Sequence, residues 1–314
     1  GLFYVIFTTI ATGFAIGIQI IIARRFGEGN YGRIGVIFQH GSIFVLILGL
    51  ILFSILYIFS DHLLLWLIDS PNIYDASLEY IKYRQFGIIF VCFNFLYRAL
   101  YVGISNTKVI TYSTIIMAVV NIFLDYCLIF GNFGFPEMGV RGAAVATVIS
   151  KFIEAFVIIA WTHTHTRKNK YIIGAYRSLR IPKFLTVSMI RKGYPLLLNE
   201  FLWAAGMSII AQCYSVRGLD VVAARNISST ITNLFGAVYI QMGACIGILV
   251  GAKLGANKLR DARTTDNRLL FFSVAATVVV ALAVLPLAEV FPRFYNTEDH
   301  IRDLASYMIV IQAL

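Results

Sequence analysis

The chain has 314 residues, of which 59% are hydrophobic and 13% are charged, and its formal net charge at pH 7 is +10. A soluble globular chain carries about twice this charged fraction, so the composition excludes an ordinary soluble protein and indicates a membrane protein. The basic residues lie mainly between long apolar segments, which favours basic flanks of membrane spans over a nucleic-acid-binding surface.

Eight apolar segments are long enough to cross a membrane as helices, which takes about 20 residues each. We predict spans at Leu2–Ile22, Ile34–Ser60, Ile81–Gly103, Val109–Gly131, Gly142–Trp161, Tyr194–Tyr214, Ala224–Val250 and Leu269–Phe291. A ninth segment begins near Asp303. These segments are too long for the roughly 10-residue strands of a membrane barrel, and they leave no room for a soluble domain. The predicted fold class is an all-α polytopic membrane protein.

Both ends of the chain lie close to apolar segments. The chain starts at Gly1, directly before an apolar run, without a basic segment or a signal-peptide cleavage site, and it ends at Leu314 inside another apolar run. We therefore expect the chain to be truncated at both ends. The basic connections follow the first, fifth and seventh spans, whereas several others carry acids. By the positive-inside rule the basic loops face the cytoplasm, which predicts a multi-pass protein of the plasma (inner) membrane.

A short pattern occurs twice, six spans apart. Gly13 and Gly17 near the end of the first span correspond to Gly243 and Gly247 in the seventh. Glycines at this spacing let two helix backbones approach closely in lipid, so we predict a helix-packing role for all four. A unit of six helices used twice is a common plan for transporters. The longest polar stretch separates the two copies and predicts three regions, namely a lobe at 1–162, a cytoplasmic linker at 163–184 and a second lobe at 185–314.

Asp125 is an acid inside an otherwise apolar span. Asn121 precedes it by four residues, so both side chains lie on one face of the helix. A carboxylate in hydrocarbon is costly, and such groups usually face the interior of a helix bundle and mark an ion or substrate path. The carboxyl and amide oxygens predict a site for a proton or a sodium ion. The alternative is a structural hydrogen-bonding role.

Other charged residues of the spans have simpler interpretations. Lys151 and Glu154 are three residues apart and predict an ion pair inside the bundle. Arg84 and Arg98 flank the third span at opposite ends and are expected to extend toward lipid headgroups. Glu200 follows a helix proline by five residues, which leaves open either a functional role or a solvated position at the membrane interface. The four cysteines fall in apolar spans and predict small buried side chains rather than a metal site.

Several motifs follow one another along the chain, namely Ala23-Arg-Arg-Phe-Gly-Glu-Gly-Asn30, Asn121-Ile-Phe-Leu-Asp125-Tyr-Cys-Leu-Ile-Phe-Gly131, Gly139-Val-Arg-Gly-Ala-Ala-Val-Ala-Thr147, Gly193-Tyr-Pro195 with Asn199-Glu200, and Gly218-Leu-Asp-Val-Val-Ala-Ala224. They resemble those of the multidrug and toxic compound extrusion (MATE) transporters, within a superfamily that also includes lipid-linked oligosaccharide flippases. The resemblance implies two pseudo-symmetric lobes of six helices, of which this chain holds helices two to nine and part of helix ten.

The resemblance also implies a function and its residues. Such proteins export drugs by proton- or sodium-coupled antiport, with a cation site in the first lobe that Asn121 and Asp125 match in type and spacing. Thr147 corresponds to a threonine of the next helix, and Glu200 to an acid that other branches of the family require. The implied substrates are cationic or amphipathic small molecules, the surroundings are membrane lipids, and the implied state is a monomer without a cofactor. The alternative within the superfamily is a lipid-linked oligosaccharide flippase.

An enzyme is the third possibility, and sequence motifs argue against it. The chain has no Gly-Lys dipeptide, so it has no nucleotide-binding P-loop. It also has no Gly-x-Ser-x-Gly or His-Glu-x-x-His signature. An intramembrane lipid-modifying enzyme would need a cluster of acids or histidines on facing helices. The sequence therefore predicts that the protein is not an enzyme.

Overall fold

The protein is described by a computed structural model that covers residues 2–67, 71–173 and 183–313. These residues form helices and connecting loops, with no strand among them. The α-helices are α1 Leu2–Gly27, α2 Tyr31–Leu67, α3 Pro71–Arg84, α4 Ile88–Gly103, α5 Lys108–Phe130, α6 Gly139–Thr164, α7 Lys183–Ser215, α8 Leu219–Gly255, α9 Leu259–Val290 and α10 Asp299–Ala313. Short 3-10 turns lie at Gln85–Gly87, Asn132–Gly134, Lys170–Ile172 and Phe291–Phe294.

Eight of the helical segments are long and apolar enough to cross a membrane, which confirms the predicted all-α polytopic fold class. The structure differs from the prediction mainly at helix ends. The second helix continues past Ser60 through Asp61 and His62, because no glycine or proline interrupts it there. The last helix begins at Asp299, four residues before the predicted start, and Arg302 donates a hydrogen bond of 2.8 Å to the Asp299 carboxylate in its first turn.

The described chain divides into two compact units, residues 1–202 and 203–314. The predicted lobe boundaries at 162/163 and 184/185 remain predictions. Most of the second half of the predicted linker, residues 174–182, lies outside the described residues.

The first unit has the larger core. In it α4 packs against α1, α2 and α6, while α3 packs against α6. Their buried side chains form one cluster that includes Ile22, Phe38, Leu56, Leu96 and Tyr101. Each of these helices buries one apolar face, and large apolar side chains remain exposed on other faces, such as Ile47 and Ile51 on α2. This distribution fits helices whose outer faces contact lipid.

Close backbone contact joins α5 to α6. A Cβ atom placed on Gly142 would lie 2.5 Å from the carbonyl oxygen of Leu128, so only glycine fits at this crossing. The helix α5 ends at Gly131, whose φ of 69° is a left-handed conformation that favours glycine. The chain then returns to α6, and the Met138 amide donates a 2.8 Å hydrogen bond to the Leu128 carbonyl.

The loop after α6 is fixed to the first unit by a chain of hydrogen bonds. The hydroxyl groups of Tyr101 and Thr162 lie 2.8 Å apart, and the Asn169 amide donates to the Thr162 carbonyl at 3.0 Å. The Tyr171 hydroxyl donates in turn to the Asn169 side-chain oxygen at 2.8 Å. Tyr171 is buried, and this burial raises its pKa above the usual value of 10.0.

The second unit contains α8, α9 and α10, each of which packs against the other two. Two small apolar clusters hold them together, one around Ala224 and Ala305 and one around Ile231 and Ile309. Gln312 on α10 accepts hydrogen bonds of 2.8 Å and 2.7 Å from two hydroxyl groups of α8.

Candidate functional site

Asp125 and Asn121 lie half-buried on α5, one helical turn apart. The Oδ1 atom of Asp125 and the Nδ2 atom of Asn121 are both buried, and neither has a hydrogen-bond partner among the described residues. A buried polar group without a partner costs free energy comparable to a lost hydrogen bond, so such groups are rare in finished cores. These two polar atoms lie on one helical turn of α5 and are available to bind a ligand.

The chemistry of this pair suits a small cation. A carboxylate offers two acceptor oxygens, and the side-chain amide of Asn121 offers a third through its own oxygen. Sodium prefers such hard oxygen ligands, and a proton needs only the carboxylate. Either cation would neutralise Asp125 and remove the cost of its buried charge.

The other two predicted cation-site residues lie on different helices. Thr147 is half-buried on α6, and its hydroxyl donates a 2.8 Å hydrogen bond to the Ala143 carbonyl. The oxygen of the Thr147 hydroxyl is still able to accept a hydrogen bond. Glu200 is half-buried within α7, five residues after Pro195. Within the described residues, no hydrogen bond or ion pair joins Thr147 or Glu200 to Asp125.

The four predicted packing glycines fall into two classes. Gly13 and Gly17 are buried in α1. Gly243 and Gly247 are exposed on α8, and a Cβ atom at either would meet no described atom within 4 Å. The helix-packing role of all four stays a prediction.

A second polar group centres on Glu154 of α6. Lys151 forms the predicted ion pair with it at 2.9 Å. The Asn94 amide of α4 donates to the same Glu154 oxygen at 3.1 Å, and the Thr114 hydroxyl of α5 donates to the other oxygen at 3.2 Å. This network therefore ties three helices of the first unit together. The sequence analysis missed Asn94 and Thr114, although Asn94 is a lone amide in an apolar span, the same signal that identified Asn121.

Arg84 corrects a prediction. It does not extend toward headgroups but is buried, with its guanidinium 4.2 Å from the centre of the Tyr4 ring and donating a 3.2 Å hydrogen bond to the Tyr4 hydroxyl. The reason is the aromatic partner on α1, which sequence spacing does not show. Arg98 is exposed and makes no hydrogen bond or ion pair with a described residue. Both arginines line one cavity in the first unit, of about 270 Å³.

The cysteines follow the prediction only in part. Cys92 and Cys127 are buried and free, whereas Cys213 and Cys245 are free and exposed, because no described neighbour covers their faces of α7 and α8. No group of three or more histidine, cysteine, aspartate or glutamate side chains suited to a metal ion occurs in the part of the chain that the structure describes.

Comparison with known proteins identifies the family. The MatE family profile matches residues 1–127 and 195–314. The chain belongs to this family. Members of the MatE family are transporters rather than enzymes, which confirms the prediction that the protein is not an enzyme. The match includes Asn121 and Asp125, and it ends before Thr147 and resumes at Pro195.

Two curated relatives are 25% and 24% identical to this MatE chain over the aligned residues. A "Probable multidrug resistance protein NorM" of Thermotoga maritima is 25% identical over 302 residues, which is 96% of this chain and 64% of that protein. A protein of the same name from Listeria monocytogenes is 24% identical, over 96% of this chain and 66% of that protein. The chain thus spans just under two thirds of the length of these relatives.

A solved structure, "Crystal structure of MATE in the straight conformation", has the same fold, with a TM-score of 0.84 at 22% identity. The alignment covers 98% of this chain and 68% of that one. An outward-facing multidrug resistance MATE family transporter aligns with a TM-score of 0.81 at 20% identity, over 99% of this chain and 68% of the other. These alignments, together with the eight apolar helices, make the chain part of a multi-pass membrane protein.

Proposed function

We propose that the full-length protein is a secondary active multidrug transporter of the plasma (inner) membrane. It exports cationic or amphipathic small molecules in exchange for protons or sodium ions, works as a monomer in the lipid bilayer and needs no cofactor. The names of the curated relatives, which describe multidrug resistance proteins, support this cargo. The basic loops, such as the one that carries Arg24, Arg25 and Arg33, face the cytoplasm.

The observation that carries this proposal is the unpartnered pair on α5. The buried oxygen of Asp125 and the buried amide nitrogen of Asn121 have no hydrogen-bond partner among the described residues, so none of these residues compensates the carboxylate charge there. A charge of this kind is tolerated when a cation binds it or a proton neutralises it. Glu154 does not fit this role, because three side chains already occupy its two oxygens.

Drug export is coupled to cation entry because a charged Asp125 without a bound cation is energetically unfavourable. When the site faces the outside, a proton or a sodium ion binds Asp125 and neutralises its charge, and the drug is released. When access changes to the inside, the cation leaves and a drug binds in its turn. Two lobes that tilt about a central path would alternate access in this way. A cation moving inward down its gradient then drives the drug outward.

The test is efflux in cells that express the full-length gene. Asp125→Asn keeps the shape of the side chain and removes its charge, so we expect ethidium export to fall to the level of cells without the transporter. Asp75→Asn, at an exposed acid of α3, is the matched control and should export normally. Collapsing the proton gradient and the sodium gradient separately identifies the ion. Normal export by Asp125→Asn at normal expression would show that the coupling residue is wrong.

A further inference from the structure

The cavity of the first unit is unusually basic for a membrane-embedded site. Its walls come from α1, α3, α4, α5 and α6, and its charged lining consists of Arg84, Arg98, Lys151 and Glu154. Three cations against one acid leave a formal charge of +2 in a space of about 270 Å³. Charges inside a membrane protein are usually paired with one another, so an excess of two is a signal of a ligand.

The single acid of this cavity is already paired with a cation and bonded on both oxygens. Its two oxygens already accept from Lys151 at 2.9 Å, from Asn94 at 3.1 Å and from Thr114 at 3.2 Å. The Asn94 amide also donates to the Lys151 carbonyl at 3.1 Å, which fixes its orientation. Glu154 is therefore neutralised by Lys151, and a drug cation would find no unpaired negative charge here.

The two arginines, by contrast, have donors to spare. A guanidinium has five N–H donors, and Arg84 uses one of them on the Tyr4 hydroxyl. Arg98 uses none on a described residue. The guanidinium groups of exposed Arg98 and buried Arg84 both have donors without a described partner, and a carboxylate or a phosphate matches their planar donors in a two-bond geometry. The chemistry of the unpaired lining thus selects an anion.

We propose that this cavity binds the anionic group, a carboxylate or a phosphate, of an amphiphilic cargo, with Arg98 as the principal contact and Arg84 as the second. The proposal rests on the transport function proposed above and names the charge class of its cargo. The apolar part of the cargo contacts Val91, Phe95 and Ile158, which line the same space. Ligand sites of drug-like molecules combine such apolar walls with a few placed polar groups.

The size of the cavity limits what it holds. Sites for whole drug-sized ligands measure about 300 to 1,000 Å³. A space of about 270 Å³ accommodates the head of an amphiphile rather than a large molecule. Two sources supply such a head. One is a soluble zwitterionic drug that carries a carboxylate, and the other is the phosphate headgroup of a lipid with net negative charge, such as phosphatidylglycerol.

The test measures binding to the purified full-length protein in nanodiscs of phosphatidylcholine. The probes are norfloxacin, which has a carboxylate, and its methyl ester, which has the same ring system and amine without the anion. We expect Arg98→Gln to raise the Kd of norfloxacin about tenfold and to leave that of the ester unchanged. Arg98→Lys keeps the charge but loses the two-bond geometry, so its Kd for norfloxacin should lie between that of the unmodified protein and that of Arg98→Gln. Arg33→Gln, at an exposed arginine in the first turn of α2, is the control. Equal changes for acid and ester, or no change for either, would overturn the proposal.

A second arm separates the two sources. Phosphatidylglycerol is added to the nanodiscs, and norfloxacin binding is measured again. If the lipid headgroup occupies the cavity, the added lipid weakens norfloxacin binding to the unmodified protein and not to Arg98→Gln. If the added lipid has no effect on norfloxacin binding, the soluble drug is the source of the anionic group. Either result is compatible with an anion site in this cavity. Binding at equilibrium needs no ion gradient, so this result is independent of the Asp125→Asn efflux test. Failure of the proposed anion site can therefore be distinguished from failure of the proposed transport function.

Discussion

Two acids lie in the first unit, on neighbouring helices, and their surroundings are opposite. Glu154 on α6 accepts hydrogen bonds from three side chains of α4, α5 and α6. Asp125 on α5 has a buried oxygen with no hydrogen-bond partner among the described residues. Removing a partner from a paired buried acid destabilises a structure, whereas an acid without partners is able to bind and release a cation. Similar residues in similar helices therefore serve different purposes according to their neighbours.

The largest effect should come from breaking the paired acid. Lys151→Met removes the cation and leaves the Glu154 carboxylate uncompensated. We therefore expect the free energy of unfolding to fall by about 2 to 3 kcal/mol. This is less than the loss for a fully buried ion pair, because Lys151 is partly exposed. Thermal unfolding of the detergent-purified protein, followed by tryptophan fluorescence, measures it. The double variant Lys151→Met/Glu154→Gln removes both charges and should recover most of the loss.

The unpaired acid provides the contrast in that experiment. Asp125→Asn removes a charge that no described residue compensates, so its melting temperature should equal or exceed that of the unmodified protein. If Asp125→Asn lowers the melting temperature as much as Lys151→Met does, the two acids have the same structural role and the comparison fails.

A somewhat smaller effect is expected from separating the helices that carry the two acids. In Gly142→Ala the added methyl would press on the Leu128 backbone of α5, at 2.5 Å from its carbonyl oxygen. Overpacking of this kind costs about 1 to 3 kcal/mol, and here it displaces α5 and so alters the position of Asp125. We expect a lower melting temperature together with weaker drug export.

The matched control is Gly206→Ala on α7. A Cβ atom there meets no described atom within 4 Å, and alanine is the better helix former. Its melting temperature should therefore be unchanged or higher. An equal loss of stability in both variants would mean that the α5–α6 crossing is not the cause.

The smallest expected effect on stability comes from a solvent-exposed ion pair. Arg25 donates a 2.6 Å hydrogen bond to Glu28 in the loop after α1, and this bond lowers the pKa of Glu28 below its usual value of 4.5. A depressed pKa means that the pair stabilises the folded state above the unfolded pKa of Glu28 and that this contribution disappears as the pH falls through the folded pKa. Exposed pairs contribute only a few tenths of a kcal/mol, about a tenth of the loss expected at Lys151.

The measurement is a side-chain NMR titration of labelled glutamate. The pKa of Glu28 should lie below 4.5 in the unmodified protein and rise toward it in Arg25→Gln. An unchanged pKa in that variant would assign the depression to another basic residue.

Sequence sufficed for the helices because their signal is local. A run of about 20 apolar residues has few alternatives in a membrane, so the eight spans were predicted with errors only at their ends. The i, i+4 spacing of Asn121 and Asp125 and the i, i+3 spacing of Lys151 and Glu154 were also local. In each case the side chains share a helix face whatever the tertiary fold.

The remaining features depend on contacts between distant residues. Asn94 reaches Glu154 across 60 positions of the chain, and Arg84 reaches Tyr4 across 80. Nothing in the neighbourhood of Arg84 in sequence shows that an aromatic ring covers it, so the expectation of an arginine at the headgroups was wrong. The basic cavity could not be predicted for the same reason, since its lining comes from five helices.

The hydrogen-bonded loop after α6 has a practical consequence. Because Asn169 and Tyr171 hold the chain against Thr162 and Tyr101, the packed body of the first six helices ends at a fixed place, just after residue 172. A gene divided shortly after that codon would yield two polypeptides, the first of which retains every contact of this anchor. We expect such halves, expressed together, to reassemble in the bilayer, so that each half can be labelled or exchanged on its own.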